Sequence, residues 1–209
     1  KLIAEYPTPD GVDLEVGGTV EDQGDAFSDL GTLLILIVIL VYIVMATQFE
    51  SLKFPFIIMF TIPFAFTGVF LALWMTSTPL SLIALIGAIM LVGIVTKNGI
   101  VMVDYMNLLI ERGSGVFDAV IAGGKSRLRP VLMTSFTTIL GMLPLAIGTG
   151  AGSETWQPMG IAVIGGLTFS TILTLFIVPV LYSILVNRSQ RKEKEKLAQL
   201  SAQHQASTH

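Results

Sequence analysis

Five long apolar runs follow one another in this chain, and they decide what it can fold into. They cover residues 30–47, 54–75, 80–109, 130–149 and 158–186. A helix that crosses a bilayer needs about 20 apolar residues, because a rise of ~1.5 Å per residue must span ~30 Å of hydrocarbon. All five runs qualify, the first and fourth with least to spare. They do not alternate with the period of two expected of membrane-barrel strands. Buried helices of a soluble protein are excluded by quantity, since five such runs in 209 residues would leave almost nothing to cover them. Only 13% of residues are charged, against about 25% in an ordinary soluble domain. The expectation is an all-α membrane protein. A bundle of five transmembrane helices (30–187) lies between an outer segment (1–29) and a polar tail (188–209).

The basic residues orient the bundle. Lys53 lies between the first and second runs, and Arg112, Lys125, Arg127 and Arg129 lie between the third and fourth or at the latter's edge. Arg188, Arg191, Lys192, Lys194 and Lys196 follow the fifth. Ten of the twelve Lys and Arg thus fall on one side, which the positive-inside rule makes cytoplasmic. Lys1 falls on the other side, in a segment with eight acidic residues before Leu30. In that outer segment, "VDLEVGG" alternates like a strand, and "TVEDQGDAFSDL" opens a helix with Thr19 as N-cap and Asp22 three residues on. A lone strand cannot fold, and no signal peptide is present, so the chain is expected to be part of something longer. Residues 116–121 place Val116, Phe117, Val120 and Ile121 at helical spacing, which suits a short interfacial helix as well as an ordinary loop. The tail is expected to fray.

One residue breaks the apolar logic. "GIVTKNGIVMVDY", residues 93–105, carries Lys97 inside the third run. A lysine at the centre of a spanning helix costs ~2.5–3.5 kcal/mol on insertion scales. Snorkelling does not relieve it, because about ten residues, or ~15 Å, separate it from the nearer end of the helix. Lys97 is therefore expected to face protein and to find a partner. Asp104 shares its helix face two turns on, but ~10 Å along the axis is too far for a direct pair. Asp104 reads as an interfacial acid or a relay member. Asn98 points ~100° away from Lys97 and can accept from an ammonium or bridge a water. In the fourth run Arg127, Thr134, Thr138 and Met142 recur at seven, four and four residues, with Pro130 placed to open the helix. Thr134 could bond its own preceding carbonyl. Set opposite a buried lysine, the stripe suggests a path for protons or water.

Other features bear on packing. Pro63, Pro144 and Pro179 are expected to kink or loosen their helices, and Gly87, Gly93, Gly99, Gly165 and Gly166 to permit close helix contact. The nine methionines read as filler rather than a metal ladder. There is no cysteine, and the two histidines, His204 and His209, both lie in the tail. No zinc, iron or nucleotide motif and no serine–histidine constellation occurs, so no enzymatic activity, metal or cofactor is expected.

"MATQFESLKFPFIIMFTIPFAFTG", "GIVTKNGIVMVDY" and "RLRPVLMTSFTTILGMLPLAIGTGAG" resemble the C-terminal membrane half of resistance–nodulation–division (RND) efflux transporters. The likeness is to the hydrophobe/amphiphile, acriflavine-resistance type. The resemblance covers about residues 1–187 and omits the tail. It implies the last five of twelve spanning helices, preceded by the end of a periplasmic porter domain, in the bacterial inner membrane. The N-terminus would be periplasmic and the C-terminus cytoplasmic. It implies a missing N-terminal half, a homotrimer, a periplasmic adaptor and an outer-membrane channel. Amphiphilic small molecules would be exported at the expense of the proton motive force, and nucleic acid has no part. It also implies a proton relay of Lys97, Asn98, Arg127 and Thr134, whose acidic partners are a pair of aspartates in the missing half; Asp104 falls where the family has an acid of less certain role. The heavy-metal branch is not expected to keep the Lys97–Asn98 pair, which weighs against metal export. The alternatives are that heavy-metal branch, a related non-exporting protein of the sterol-sensing or protein-export accessory kind, and a passive channel.

The charge pattern is directly testable because the chain has no cysteine of its own. In right-side-out vesicles of the inner membrane, Ser77→Cys should react with a membrane-impermeant thiol reagent from outside. Ser114→Cys should react only after permeabilisation.

Overall fold

The structure, a computed structural model, describes the backbone of residues 19–148, 150 and 152–206, and the side chains of residues 22–188 except 149 and 151. Among these residues the regular structure is helical: α1 (Thr19–Gln48), α2 (Lys53–Met59), α3 (Ile62–Met75), α4 (Leu82–Glu111), α5 (Val116–Ile147) and α6 (Ser153–Ala206). Five stretches are long and apolar enough to cross a membrane: Asp22–Gln48, Lys53–Met75, Leu82–Glu111, Val116–Ile147 and Ser153–Arg188. The expected all-α bundle of five spans is what forms. The strand expected near residue 12 lies outside the described residues. The expected lead-in helix does run unbroken into the first span as α1.

The second span breaks where the sequence places Pro63. A proline inside a helix clashes with the carbonyl four residues back, here that of Met59, and α2 ends at Met59. Thr61 turns the chain by donating to the Ile58 carbonyl from both its N–H (3.0 Å) and its hydroxyl (2.6 Å). Pro63 then falls in the first turn of α3, where its missing N–H is harmless. Pro144 and Pro179 interrupt nothing, and α5 and α6 continue past them. At the start of α4, Ser81 caps the helix by accepting from the Ala84 N–H at 3.2 Å.

Three expectations are corrected. Pro130 does not open the fourth span but lies inside α5, and residues 116–121 are the first turns of that same helix. Packing decides this. Val116, Ala119 and Gly123 are buried, and a Cβ on Gly123 would lie 2.7 Å from Met106 Cγ of α4. That contact holds the first turns of α5 along the end of α4. Phe117 and Ile121 are exposed instead. At ~1.5 Å per residue α5 is ~48 Å long, more than the ~30 Å hydrocarbon layer, so its basic first third can stand beyond it. The tail, expected to fray from residue 188, continues α6 as helical backbone to Ala206.

Helix α6 is the centre of the bundle and packs against α3, α4 and α5, while α1 lies outermost, against α4 and α2. Gly87 of α4 faces Met159, and Asn107 of α4 meets Tyr182, so α4 and α6 run parallel. Two apolar cores form. One contains Ala65, Val69, Leu91, Val95 and Leu167; the other, toward the end carrying Lys53 and Arg112 (the basic end), contains Ile57, Ile58, Met102, Met106, Val178 and Tyr182.

Glycine sets how close α3 and α4 come to α6. A Cβ on Gly165 would meet the Ala72 side chain and lie 2.9 Å from the Gly68 carbonyl oxygen; one on Gly166 would run into Leu91 and Val69. Gly87 and Gly99 are crowded too, by Met159 and Ile58, but Gly93 has nothing within 4 Å. Gly166→Val should therefore lower the stability of the detergent-solubilised protein by about 1–3 kcal/mol or more through overpacking. Gly141→Ala, at a helical position with nothing within 4 Å, should be neutral or raise it by about 0.5–1 kcal/mol. Thermal unfolding followed by tryptophan fluorescence checks both.

Candidate functional site

Helix α4 has a covered back and an uncovered front. Its buried residues include Ala88, Leu91, Val95, Asn98, Gly99, Met102 and Met106. Its exposed residues Ile86, Met90, Gly93, Lys97, Asp104, Leu108 and Glu111 recur at spacings of three, four and seven, which is one face of a helix. None of the other helices described here covers that face. Lys97 stands at its middle, and no hydrogen bond or ion pair reaches it from the described residues. The five helices thus do not form the protein interior that an intramembrane lysine was expected to need. Asn98, one residue on, is turned into the bundle and is 9% exposed.

Asp104 belongs with the acids of the basic end rather than with Lys97. With Glu50, Glu111, Gln48, Phe49, Asn107 and Leu108 it lines an open cleft of about 260 Å³. Asn107 is held there from behind, accepting through Oδ1 from the Tyr182 hydroxyl at 2.5 Å. The Tyr182 ring in turn stacks on Phe54 at 5.6 Å between centroids.

Arg127 and Thr134 take separate places on α5. The Arg127 guanidinium lies over the Tyr105 ring, 4.6 Å from its centroid. This cation–π contact ties α5 to the residue beside Asp104. Its buried Nε has no hydrogen-bond partner. Thr134 is exposed, and its hydroxyl donates to the Val131 carbonyl at 3.0 Å, while that of Thr138 donates to the Thr134 carbonyl at 2.9 Å. Both hydroxyls therefore serve their own helix.

The structure brings Arg127 to Tyr105 but links no two of Lys97, Asn98, Asp104, Arg127 and Thr134 by a hydrogen bond among the described residues. Sequence reasoning missed the Tyr105 platform and the Tyr182–Asn107 pair. The aromatic next to Asp104 was a usable signal for the first. Nothing in the chain pattern could join residues 107 and 182.

A bundle of five helices long and apolar enough to cross a membrane, with a lysine midway along one of them on an open helix face, defines a polytopic membrane protein. Residues 1–186 match the AcrB/AcrD/AcrF family. The swarming motility protein SwrC of Bacillus subtilis is 38% identical over 193 residues, 92% of this chain and 18% of SwrC. The cobalt-zinc-cadmium resistance protein CzcA of Cupriavidus metallidurans is 38% identical over 190 residues, 91% of this chain and 18% of CzcA. The multidrug resistance protein MdtC of Erwinia tasmaniensis is 46% identical over 143 residues, 68% of this chain and 14% of MdtC. The crystal structure of a heavy metal efflux pump superposes with a TM-score of 0.74 at 30% identity, over 89% of this chain and 18% of the pump. The chain belongs to the AcrB/AcrD/AcrF family of RND efflux transporters and spans about a fifth of the length of these relatives.

Tyr182→Phe, which leaves Asn107 without its donor, should cost about 1 kcal/mol of stability. It should leave α2–α6 packing intact because the Phe54 stack survives. Denaturant titration of the purified protein checks this.

Proposed function

We propose that this chain is the proton-coupling part of a proton-driven efflux pump for amphiphilic compounds in the bacterial inner membrane. The observation that carries the reading is Lys97, at the middle of α4 on a face that the five helices leave open. A lysine at that depth persists only with a partner. The partners proposed are ionised aspartates on a helix of the complementary half of a longer transporter, packed against the open face of α4. Mutual attraction then keeps lysine and carboxylates charged despite desolvation. Protonation of a carboxylate weakens the pair and frees Lys97 to turn, and the helices shift with it. Asn98 sits next to Lys97 to receive the ammonium. Arg127, over Tyr105, and Thr134 flank the route toward the basic end, and Asp104 lies where protons would meet water. Each charge moved across the membrane supplies ~2.3 kcal/mol per 100 mV, and a few kcal/mol suffices to bias a two-state element.

The same reading places the N-terminus on the periplasmic side and the tail in the cytoplasm. It has the complete transporter working as a trimer with a periplasmic adaptor and an outer-membrane channel. A second reading keeps the relay and changes the cargo: metal cations, favoured by the 38% identity to CzcA and by the likeness to the heavy metal pump.

In the full-length transporter, Lys97→Ala should abolish export while expression and assembly persist. Undiminished resistance of that mutant would overturn the relay. Challenge of the wild-type strain with amphiphilic dyes and, separately, with cobalt, zinc and cadmium salts decides the cargo. Amphiphile export predicts resistance to dyes alone.

A further inference from the structure

Seven buried polar side chains occur among the described residues: Thr61, Thr96, Asn98, Ser135, Ser170, Thr171 and Thr174. They share one level of the bundle. On α4, Thr96 and Asn98 fall between Val95 of one apolar core and Met102 of the other; on α6, Ser170, Thr171 and Thr174 fall between Leu167 and Val178. Thr61 falls between Ile58 and Ala65. Ser135 of α5 is joined to Thr171 of α6 by a hydroxyl–hydroxyl bond of 2.9 Å. The parallel register of α4 and α6, fixed by Gly87 at Met159 and Asn107 at Tyr182, sets Thr96–Gly99 level with Ser170–Thr174. A polar layer therefore separates the two apolar cores, and Lys97 stands at its depth on the open side of α4.

Most of the layer satisfies itself. Thr61, Thr96 and Ser170 donate to the carbonyls of Ile58, Val92 and Leu167. One buried group does not. The Thr174 hydroxyl has no partner, although the residue is 1% exposed. The Asn98 amide bonds no described residue either, but it is not fully buried. A buried hydroxyl without a partner costs ~1–3 kcal/mol, and native structures resolve such groups with ordered water where two to four polar partners are at hand. The Ser135–Thr171 hydroxyl pair lies one helical turn along α6 from Thr174, in the same layer as Asn98 of α4.

We propose that Thr174 anchors an internal water site between α4, α5 and α6, at the depth of Lys97. On the relay reading above, this water hydrates the inner side of the relay helix. The Thr174 hydroxyl donates to the water, and Asn98 has in it a partner that can be exchanged when Lys97 moves. The site makes Thr174 a positioning residue, acting through the water and Asn98 rather than on Lys97 itself.

The test uses the full-length transporter with two variants, Thr174→Val, which keeps shape and removes the hydroxyl, and Thr174→Ser, which keeps the hydroxyl. A structure that resolves waters should show one within hydrogen-bond distance of the Thr174 hydroxyl in the wild type and in Thr174→Ser, and none in Thr174→Val. In proteoliposomes with an imposed pH gradient, Thr174→Val should slow export about tenfold, the factor that one hydrogen bond is worth. Thr174→Ser should stay near wild type. A dry Thr174, or Thr174→Val exporting at the wild-type rate with equal or higher thermal stability, overturns the proposal. Lys97→Ala in the same vesicles separates the two readings. If Lys97→Ala stops export and Thr174→Val does not, the water site alone fails. If Lys97→Ala is without effect, the relay fails, and the resolved water alone decides for or against the site.

Discussion

The close approach of α3 and α4 to α6 is the contact on which the remaining structure depends. In lipid, apolar surface gains little by leaving one hydrocarbon for another, so helices associate through close packing and buried polar bonds. Gly165 and Gly166 let α6 touch Ala72, Val69 and Leu91 where any side chain would collide. With these contacts made, the back of α4 is registered along α6, and its front is presented outward as a stripe. The position of Lys97 follows from that orientation.

The two faces of α4 explain why neighbouring residues have different fates. Lys97 lies on the open stripe, and Asn98, a turn of about 100° away, lies inside at the polar layer. The separation of the two apolar cores by hydroxyl and amide side chains gives the bundle a wettable level at the same depth as its intramembrane charge. Polar groups in a membrane interior are costly unless partnered. Most of those here meet that cost by bonding carbonyls of their own chain segment, and Ser135 and Thr171 by bonding each other.

The basic end is built differently. There α5 overlaps α4 through Gly123 at Met106 and Arg127 at Tyr105, and α6 reaches α4 through Tyr182 at Asn107. Arg127 over Tyr105 and Tyr182 at Asn107 are aromatic and polar contacts, and Asn107 also lines the cleft that holds Asp104. The long first section of α5 thus braces the end of α4 instead of lying apart as an interfacial segment.

The number of spans, the break at Pro63 and the anomaly of Lys97 were legible in the chain, because length, proline geometry and the cost of an intramembrane charge are local quantities. So was the close packing at Gly165 and Gly166, though not the openness at Gly93, which differs only in what stands opposite. Pro130 looked like a helix start because its own chemistry suits one; the packing of Val116 and Gly123 on α4 extended the helix through it. Thr134 and Thr138 looked like a polar stripe for a path, yet their hydroxyls turn to their own carbonyls. What the sequence by itself determined is five membrane-spanning helices and one charge that demands a partner. Which face of α4 stays open, and that buried hydroxyls from four spans share the depth of Lys97, were decided only by the tertiary structure, because both depend on contacts between residues far apart in the chain, such as Asn107 with Tyr182 and Gly165 with Ala72.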